Sequence, residues 1–321
     1  MTRYKSPGAF RHALTDRIKK RAKERGVLFN RYRQLVLFDR FLSRVYSACG
    51  EAVILKGGYL MELRLGRART TSDVDMGGSG NIDVLIGSII EEAGKAGEDQ
   101  LSFEMVGEEE DLQEMVGEQI VYEGRRAKFQ AHIGGVPYGD PFGLDLSIGD
   151  ALVLPPDSLR GDDLFEFVGV EPLQHRVYPK AAHVAEKLHA ISYEFEDGRV
   201  NGRAKDLVDV GLLAANFEFD AKKLIDSIAA TFSFRNTHPV PTVVPDPPTG
   251  WDRLYEKMRE TDDLKWQDVE ELHEMVSAFL NPVLAHGGNP GRWHHESLEW
   301  SDDFTTPQPA QSPADERFAK K

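Results

Sequence analysis

Apolar positions in the first fifty residues recur at helical spacing, after which the chain switches to short apolar runs broken by glycine. Residues 8–26 read as a basic helix. Residues 29–48 read as a second helix, with Leu35, Phe38, Leu42 and Val45 on one stripe. Ala52–Leu55 is a short apolar strand stopped by Gly57-Gly58. The helix expected at Tyr59–Leu65 can turn Leu60, Met61 and Leu65 inward. Arg67–Ser72 reads as a turn and Asp73–Met76 as a strand ended by the glycines at 77, 78 and 80. Ile82–Gly94 is expected to be helical, with strands around 101–106, 118–123 and 126–133, and Gly143–Ile148 alternates cleanly as a strand. From Lys180 the pattern turns helical, over 180–194, 204–215, 220–234 and 264–281. The segment His238–Pro248 holds so many prolines that it reads as an extended linker, and the chain beyond about 303 has the composition of a disordered tail. Strands and helices thus alternate early and helices dominate late. This predicts an α/β (α+β) fold with a mixed sheet followed by a helical C-terminal domain. The expected divisions are a basic arm at 1–26, an α/β domain at 27–178, a mainly helical domain at 179–300 and a tail at 301–321.

Composition narrows the class. The 321 residues are 40% hydrophobic and 29% charged, enough for two buried cores in a soluble protein. No apolar run approaches the roughly 20 residues that cross a bilayer, and the basic N-terminus lacks the apolar stretch of a secretory signal. A cytoplasmic protein without a membrane partner is the expectation. The single cysteine, Cys49, excludes an internal disulfide and a cysteine-based zinc site.

Charge is unevenly spread. The net charge is −14, yet residues 1–45 hold 13 Lys/Arg against 3 Asp/Glu, leaving about −24 on the rest. A basic arm on an acidic body is a common contact for nucleic acid, here through basic residues between 3 and 44; a basic helix packed on the acidic remainder accounts for the same charge. Glu91–Glu123 carries 12 acids and one lysine and reads as a solvated helix face or loop.

The candidate chemistry begins at Leu55-Lys56-Gly57-Gly58 and continues at Arg69–Met76, which contains Asp73-Val74-Asp75. Residues two apart on a strand share a face, so Asp73 and Asp75 project together, about 7 Å apart at the backbone, and can converge on a divalent ion. Glycines at a strand-to-helix turn let a phosphate approach the N–H groups of the helix. A third acid, Asp145, sits on the polar face of Gly143–Ile148. If that strand lies beside the Asp73–Asp75 strand, three carboxylates share one surface, as two-metal phosphoryl transfer requires, with Asp145 as ligand or base. Asp150 competes for the same place. A second cluster combines Lys187 with Arg203, Asp206 and Asp209. Lysine is a suitable point charge for phosphates and an aspartate can hold it in place, although an ion-pair network between two helices would look the same in sequence. The histidines, among them His132, His183, His189 and the pair His294-His295, form no recognisable metal spacing.

Taken in order, these residues resemble the AbiEii family of nucleotidyltransferase toxins, the toxin half of type IV toxin–antitoxin systems. The likeness rests on Leu55–Gly58; on Arg69, Thr71, Asp73 and Asp75; on Asp145 before Gly149-Asp150; on Lys187; on Arg203–Asp209; and on Phe279-Leu280-Asn281-Pro282. The chain departs from the family at Tyr59, where Ser or Thr is usual. The resemblance implies a nucleotidyltransferase fold, Mg²⁺ in a two-metal site and a nucleoside triphosphate donor. It also implies an RNA acceptor, foremost the 3′ end of tRNA, and a cognate antitoxin. It makes Asp73, Asp75 and Asp145 the metal ligands. Lys187, supported by Asp206, would hold the triphosphate, and Lys56, Gly57, Gly58, Arg69, Thr71, Arg203 and Asp209 would line the phosphate path. The same chemistry on a protein or small-molecule hydroxyl is the alternative, and a non-catalytic binding member a third.

Overall fold

The computed structural model describes residue 4 and residues 6–302, except 67–70, 117–118, 150–151, 196, 263, 286–287 and 289. The expected tail from residue 303 onward therefore lies outside the described residues, as do Arg69 and Asp150, while Ser301 belongs to a strand. The chain divides into two units, Met1–Leu60 with Thr70–Gly149 and Asp157–Val177, and Met61–Arg69 with Asp150–Pro156 and Tyr178–Lys321. It is a mixed α/β structure with helices toward the C-terminus, as the sequence pattern predicts.

In the first unit, α1 (Pro7–Arg25) starts at Ser6, whose hydroxyl accepts from the Ala9 N–H, and stops at Gly26 in the left-handed region. Phe10, Leu14, Ile18 and Ala22, four apart, form its buried face. Helix α2 (Phe29–Cys49) buries Tyr32, Val36, Phe38, Phe41, Leu42 and Val45. Phe38 and Phe41 meet Phe142 edge-on, at 5.1 and 5.2 Å between ring centres, and so fix α2 to the sheet.

The first unit's strands are β1 (Val53–Lys56), β2 (Asp73–Gly78), β3 (Leu101–Met105), β4 (Glu110–Val116), β5 (Gln119–Ile133), β6 (Val136–Pro137), β7 (Phe142–Ile148), β8 (Asp157–Arg160) and β9 (Gln174–Val177). Helix α3 (Gly57–Leu65) follows β1, and α4 (Ile82–Ala93) follows β2. The described strands form a mixed sheet in the order β3-β5-β7-β2-β1-β9-β8, with β4 and β6 also paired to β5. Pairs β2–β7 and β1–β9 are parallel, and β1–β2 and β5–β7 antiparallel.

Three expectations change here. Residues 110–116 of the acidic stretch are strand rather than solvated helix or loop, because β4 pairs along β5. The two strands expected on either side of Gly124 are one, β5; a Cβ at Gly124 would stand 2.8 Å from the Leu112 carbonyl oxygen, so glycine there admits β4 closely rather than breaking the strand. Gly77 and Gly78 likewise lie within β2, and a Cβ at Gly78 would come 2.9 Å from Ile148 Cδ1.

The second unit holds α5 (Lys180–Ser192), α6 (Ala204–Ala214), α7 (Ala221–Arg235), α8 (Trp251–Thr261) and α9 (Val269–Leu284), with a small sheet of β10 (Phe219–Asp220), β11 (Arg292–His294) and β12 (Glu299–Ser301). Helix α8 and the short strands β8–β12 are absent from the sequence-based reading. Leu188, Val208, Leu213, Leu272, Val276, Phe279 and Trp293 sit at the centre of its core. No described helix is long and apolar enough to cross a membrane.

Candidate active site

Strand β1 runs straight into α3, and the junction is Gly57, with φ at +68°. A Cβ at this position would fall 1.9 Å from Asp75 Oδ2 and 2.5 Å from its Cβ, so the backbone of the turn lies directly against that carboxylate. The Gly58 N–H, at the start of α3, donates to Asp75 Oδ2 at 3.2 Å. The anion at this helix N-terminus is thus the protein's own Asp75. Gly57→Ala is expected to cost ~2 kcal/mol from the left-handed backbone and the displaced carboxylate together, and to lose most activity. Thermal denaturation and a transfer assay on the variant check both.

Tyr59, the departure from the family pattern, is buried. Its ring meets Phe38 at 5.3 Å and its hydroxyl donates to the Leu35 carbonyl at 3.3 Å, so it belongs to the core and not to the turn. The hydroxyl beside Gly58 is that of Thr71, 2.7 Å from where a Gly58 Cβ would be. Thr71 Oγ1 donates to the Asp73 carbonyl at 3.2 Å.

Asp73 and Asp75 alternate on β2 with the buried Val74 and Met76, as expected. Asp73 Oδ1 accepts from the Gly143 N–H at 3.3 Å, and its Oδ2 from Ser72 Oγ at 2.9 Å. A Cβ at Gly143 would stand 2.6 Å from Asp73 Oδ1, so this glycine clears the space the carboxylate occupies. The parallel pairing of β2 with β7 sets Asp75 opposite Asp145. The three acids therefore share one face of adjacent strands, the condition that the sequence could state only conditionally.

That face carries a longer row. Cross-strand partners run from Glu110 on β4 to Arg126 on β5, Asp145 on β7, Asp75 on β2 and Lys56 on β1. The two central acids are thus flanked by cations in register. Arg126 was not among the candidates, and its contact is the most specific in the site. Its Nε donates to Asp145 Oδ1 at 2.7 Å and its Nη2 to Oδ2 at 2.5 Å, a two-point fork. The bond to Asp145, then the charges of Asp145, Asp73 and Glu110, hold the guanidinium above the usual arginine range despite partial desolvation. The sequence does offer a partial signal: Ala127, Phe129 and Ala131 alternate with Arg126, Lys128 and Gln130, which predicts the face but not the acid opposite.

Hard carboxylate oxygens at 73 and 75 are the donor chemistry that magnesium takes, and both residues are half-buried on the polar face of β2. Asp145 is engaged by Arg126, and among the described residues no group of three or more His, Cys, Asp or Glu side chains is arranged to enclose an ion. The donor set therefore fits a metal at Asp73 and Asp75.

In the second unit, Lys187 on α5 is buried between two acids of α6, with Nζ 2.8 Å from Asp206 Oδ1 and 2.7 Å from Asp209 Oδ2. Arg203 Nε lies 2.5 Å from Asp206 Oδ2. Burial pushes the Asp206 carboxyl up and Asp209 adds to this, but the Lys187 and Arg203 charges outweigh both and hold it below the usual carboxylate range. The spacing 206/209 on one helix flank sets up this grip, as the sequence predicts.

In-register carboxylates beside a glycine turn on a mixed sheet are suited to a divalent ion and to the phosphates such an ion carries. Sequence comparison gives the family: the profile of the nucleotidyl transferase AbiEii toxin, type IV toxin–antitoxin system, matches residues 40–281, and the chain belongs to that family. A search of curated proteins finds no match. Among solved structures the chain is similar to MenT4, the nucleotidyltransferase toxin Rv2826c of Mycobacterium tuberculosis H37Rv, at 15% identity and a TM-score of 0.45 over 68% of each chain. It is also similar to JHP933 of Helicobacter pylori, at 15% identity and a TM-score of 0.37 over 76% of this chain and 93% of that one. A further H. pylori structure aligns at 14% identity and a TM-score of 0.35, over 74% of this chain and 92% of that one.

Proposed function

We propose that the protein transfers a nucleoside monophosphate from a nucleoside triphosphate to an RNA hydroxyl, the 3′ end of tRNA, and so blocks translation until a cognate antitoxin intervenes. The register that sets Asp73, Asp75 and Asp145 on one face beside the Gly57-Gly58 turn carries this reading. The acceptor hydroxyl oxygen attacks the α-phosphorus in line and gives up its proton to solvent, the bond from that phosphorus to the bridging oxygen breaks, and pyrophosphate leaves. Asp73 and Asp75 would hold the metal ion. Bound there, magnesium would offset phosphate charge and acidify the attacking hydroxyl. Ser72 and the Gly143 N–H fix the Asp73 carboxylate, and Gly58 fixes that of Asp75. Lys56 and Thr71 border the same face.

The RNA half of the proposal rests on α1. Its exposed face carries Lys19, Lys20 and Lys23 together with Asp16 and Glu24, Lys20 lying 3.9 Å from Glu24, while Arg17 stacks on the Phe167 ring. Other cations of the arm are neutralised within the chain, Arg21 by Asp163, Arg25 by Asp162 and Arg33 by Asp140. Replacing Lys19, Lys20 and Lys23 together by Glu is expected to weaken tRNA binding on the order of 100-fold and to flatten its salt dependence, since each lysine lost removes about one released counterion. Filter binding at several salt concentrations checks this. The acceptor itself is tested with periodate-oxidised tRNA, which lacks the terminal diol. Labelling that disappears on oxidation supports the 3′ end. Labelling that persists on RNA rejects it, and label found only on protein moves the reaction to a protein hydroxyl, the reading the net charge of −14 favours.

A further inference from the structure

Arg126 forms its fork with Asp145 at 2.7 and 2.5 Å, and the fork is held by backbone register, because the two residues are direct cross-strand partners. Its neighbour Arg125 points to the opposite face and pairs with Asp83 and Asp111, outside the carboxylate row. The two successive arginines therefore have separate duties: one ties α4 and β4 to the sheet, the other stands in the site. We propose that Arg126 is the resident cation of the third carboxylate. It fills at Asp145 the place of a second divalent ion, so that the site takes one metal ion at Asp73 and Asp75 and presents the Arg126 guanidinium to the triphosphate. This rests on the nucleotidyltransferase reading above and gives it a one-metal form.

The argument is one of charge and geometry. A guanidinium is always protonated and carries five N–H donors; the fork uses two, and with the side chain 38% exposed the others are open to a phosphate oxygen. An ion that took Asp145 would have to use the lone pairs the fork leaves over, or displace the guanidinium. Either way a dication would stand beside the arginine, two like charges at short range. Keeping the arginine avoids that repulsion and places a planar donor where phosphate charge is to be neutralised.

The test is equilibrium Mn²⁺ binding to the full chain, without nucleotide, followed by electron paramagnetic resonance. Wild type is expected to bind one ion. Arg126→Gln is expected to bind a second, at least about tenfold tighter than any second ion on wild type, and Asp145→Asn in that background to return the count to one. Two ions on wild type, or one on Arg126→Gln, would overturn the proposal. Arg126→Lys keeps the charge and loses the fork, so it is expected to stay at one ion while its KM for the triphosphate rises about tenfold with kcat less affected. An unchanged KM also overturns the proposal. Asp73→Asn separates this inference from the reading beneath it. If that variant keeps the ion, the metal site itself is misassigned; if it loses the ion while Arg126→Gln still binds one, only the role of Arg126 fails.

Discussion

Asp73→Ala is expected to lower nucleotidyl transfer on the order of 1,000-fold or more, beyond the 10–100-fold loss that follows removal of a residue merely supporting a metal ligand. The fold should survive. Asp73 is partly exposed on the polar face of β2, its partners are one hydroxyl and one N–H, and the core side of the strand is Val74 and Met76. Removing the carboxylate relieves crowding near Asp75 and Asp145 and opens no cavity, so the melting temperature is expected to stay within a few degrees of wild type. A variant that melts normally and still transfers at more than about a tenth of the wild-type rate would remove Asp73 from the machinery.

The second large effect is on stability. Lys187→Met leaves Asp206 and Asp209 buried with the cation between them gone. Breaking a buried ion pair by deleting one partner typically costs about 3–5 kcal/mol. The loss is expected in the second unit and can be read there alone, since Trp251, Trp266, Trp293 and Trp300, all four tryptophans of the chain, belong to it. Urea unfolding followed by tryptophan fluorescence should show the midpoint falling. Adding Asp206→Asn and Asp209→Asn should recover much of it, because no buried charge is then left unpaired. The pH dependence follows from the direction of the Asp206 shift. A carboxyl held below its unfolded value contributes stability above the ordinary carboxylate range, near pH 4, and that contribution is lost as the pH falls through the depressed value. A loss below about 1 kcal/mol in Lys187→Met would mean the cluster is solvated rather than buried.

Most of the site was legible in sequence because its signals are local. An apolar run ending in Gly57-Gly58, an alternating Asp73–Met76 and an alternating Gly143–Ile148 each declare a strand and a face, and faces are what place carboxylates. Which strands are neighbours is not local. The Asp75–Asp145 pairing follows from a parallel connection across some seventy residues, and Arg126 enters only because β5 lies on the far side of β7. Glycine misled where its reason was contact rather than conformation. Gly124 and Gly78 sit inside strands to admit neighbours, whereas Gly57 does what the sequence suggests and turns the chain. The acidic stretch was misread for a related reason: β4 and β5 pair with each other, so their polar composition no longer signals helix or loop. Strands of two to four residues, such as β6 and β10–β12, carry too few alternations to be seen, and α8 was hidden behind a proline-rich approach.

The central claim is that this sheet face moves a nucleotide onto RNA. Its most direct test incubates the purified protein, and Asp73→Ala beside it, with Mg²⁺, each of the four α-labelled nucleoside triphosphates, and total tRNA. The account predicts label in tRNA with at least one nucleotide for the wild type and none for Asp73→Ala. Equal labelling by both proteins, or no labelled RNA with any of the four, would contradict it.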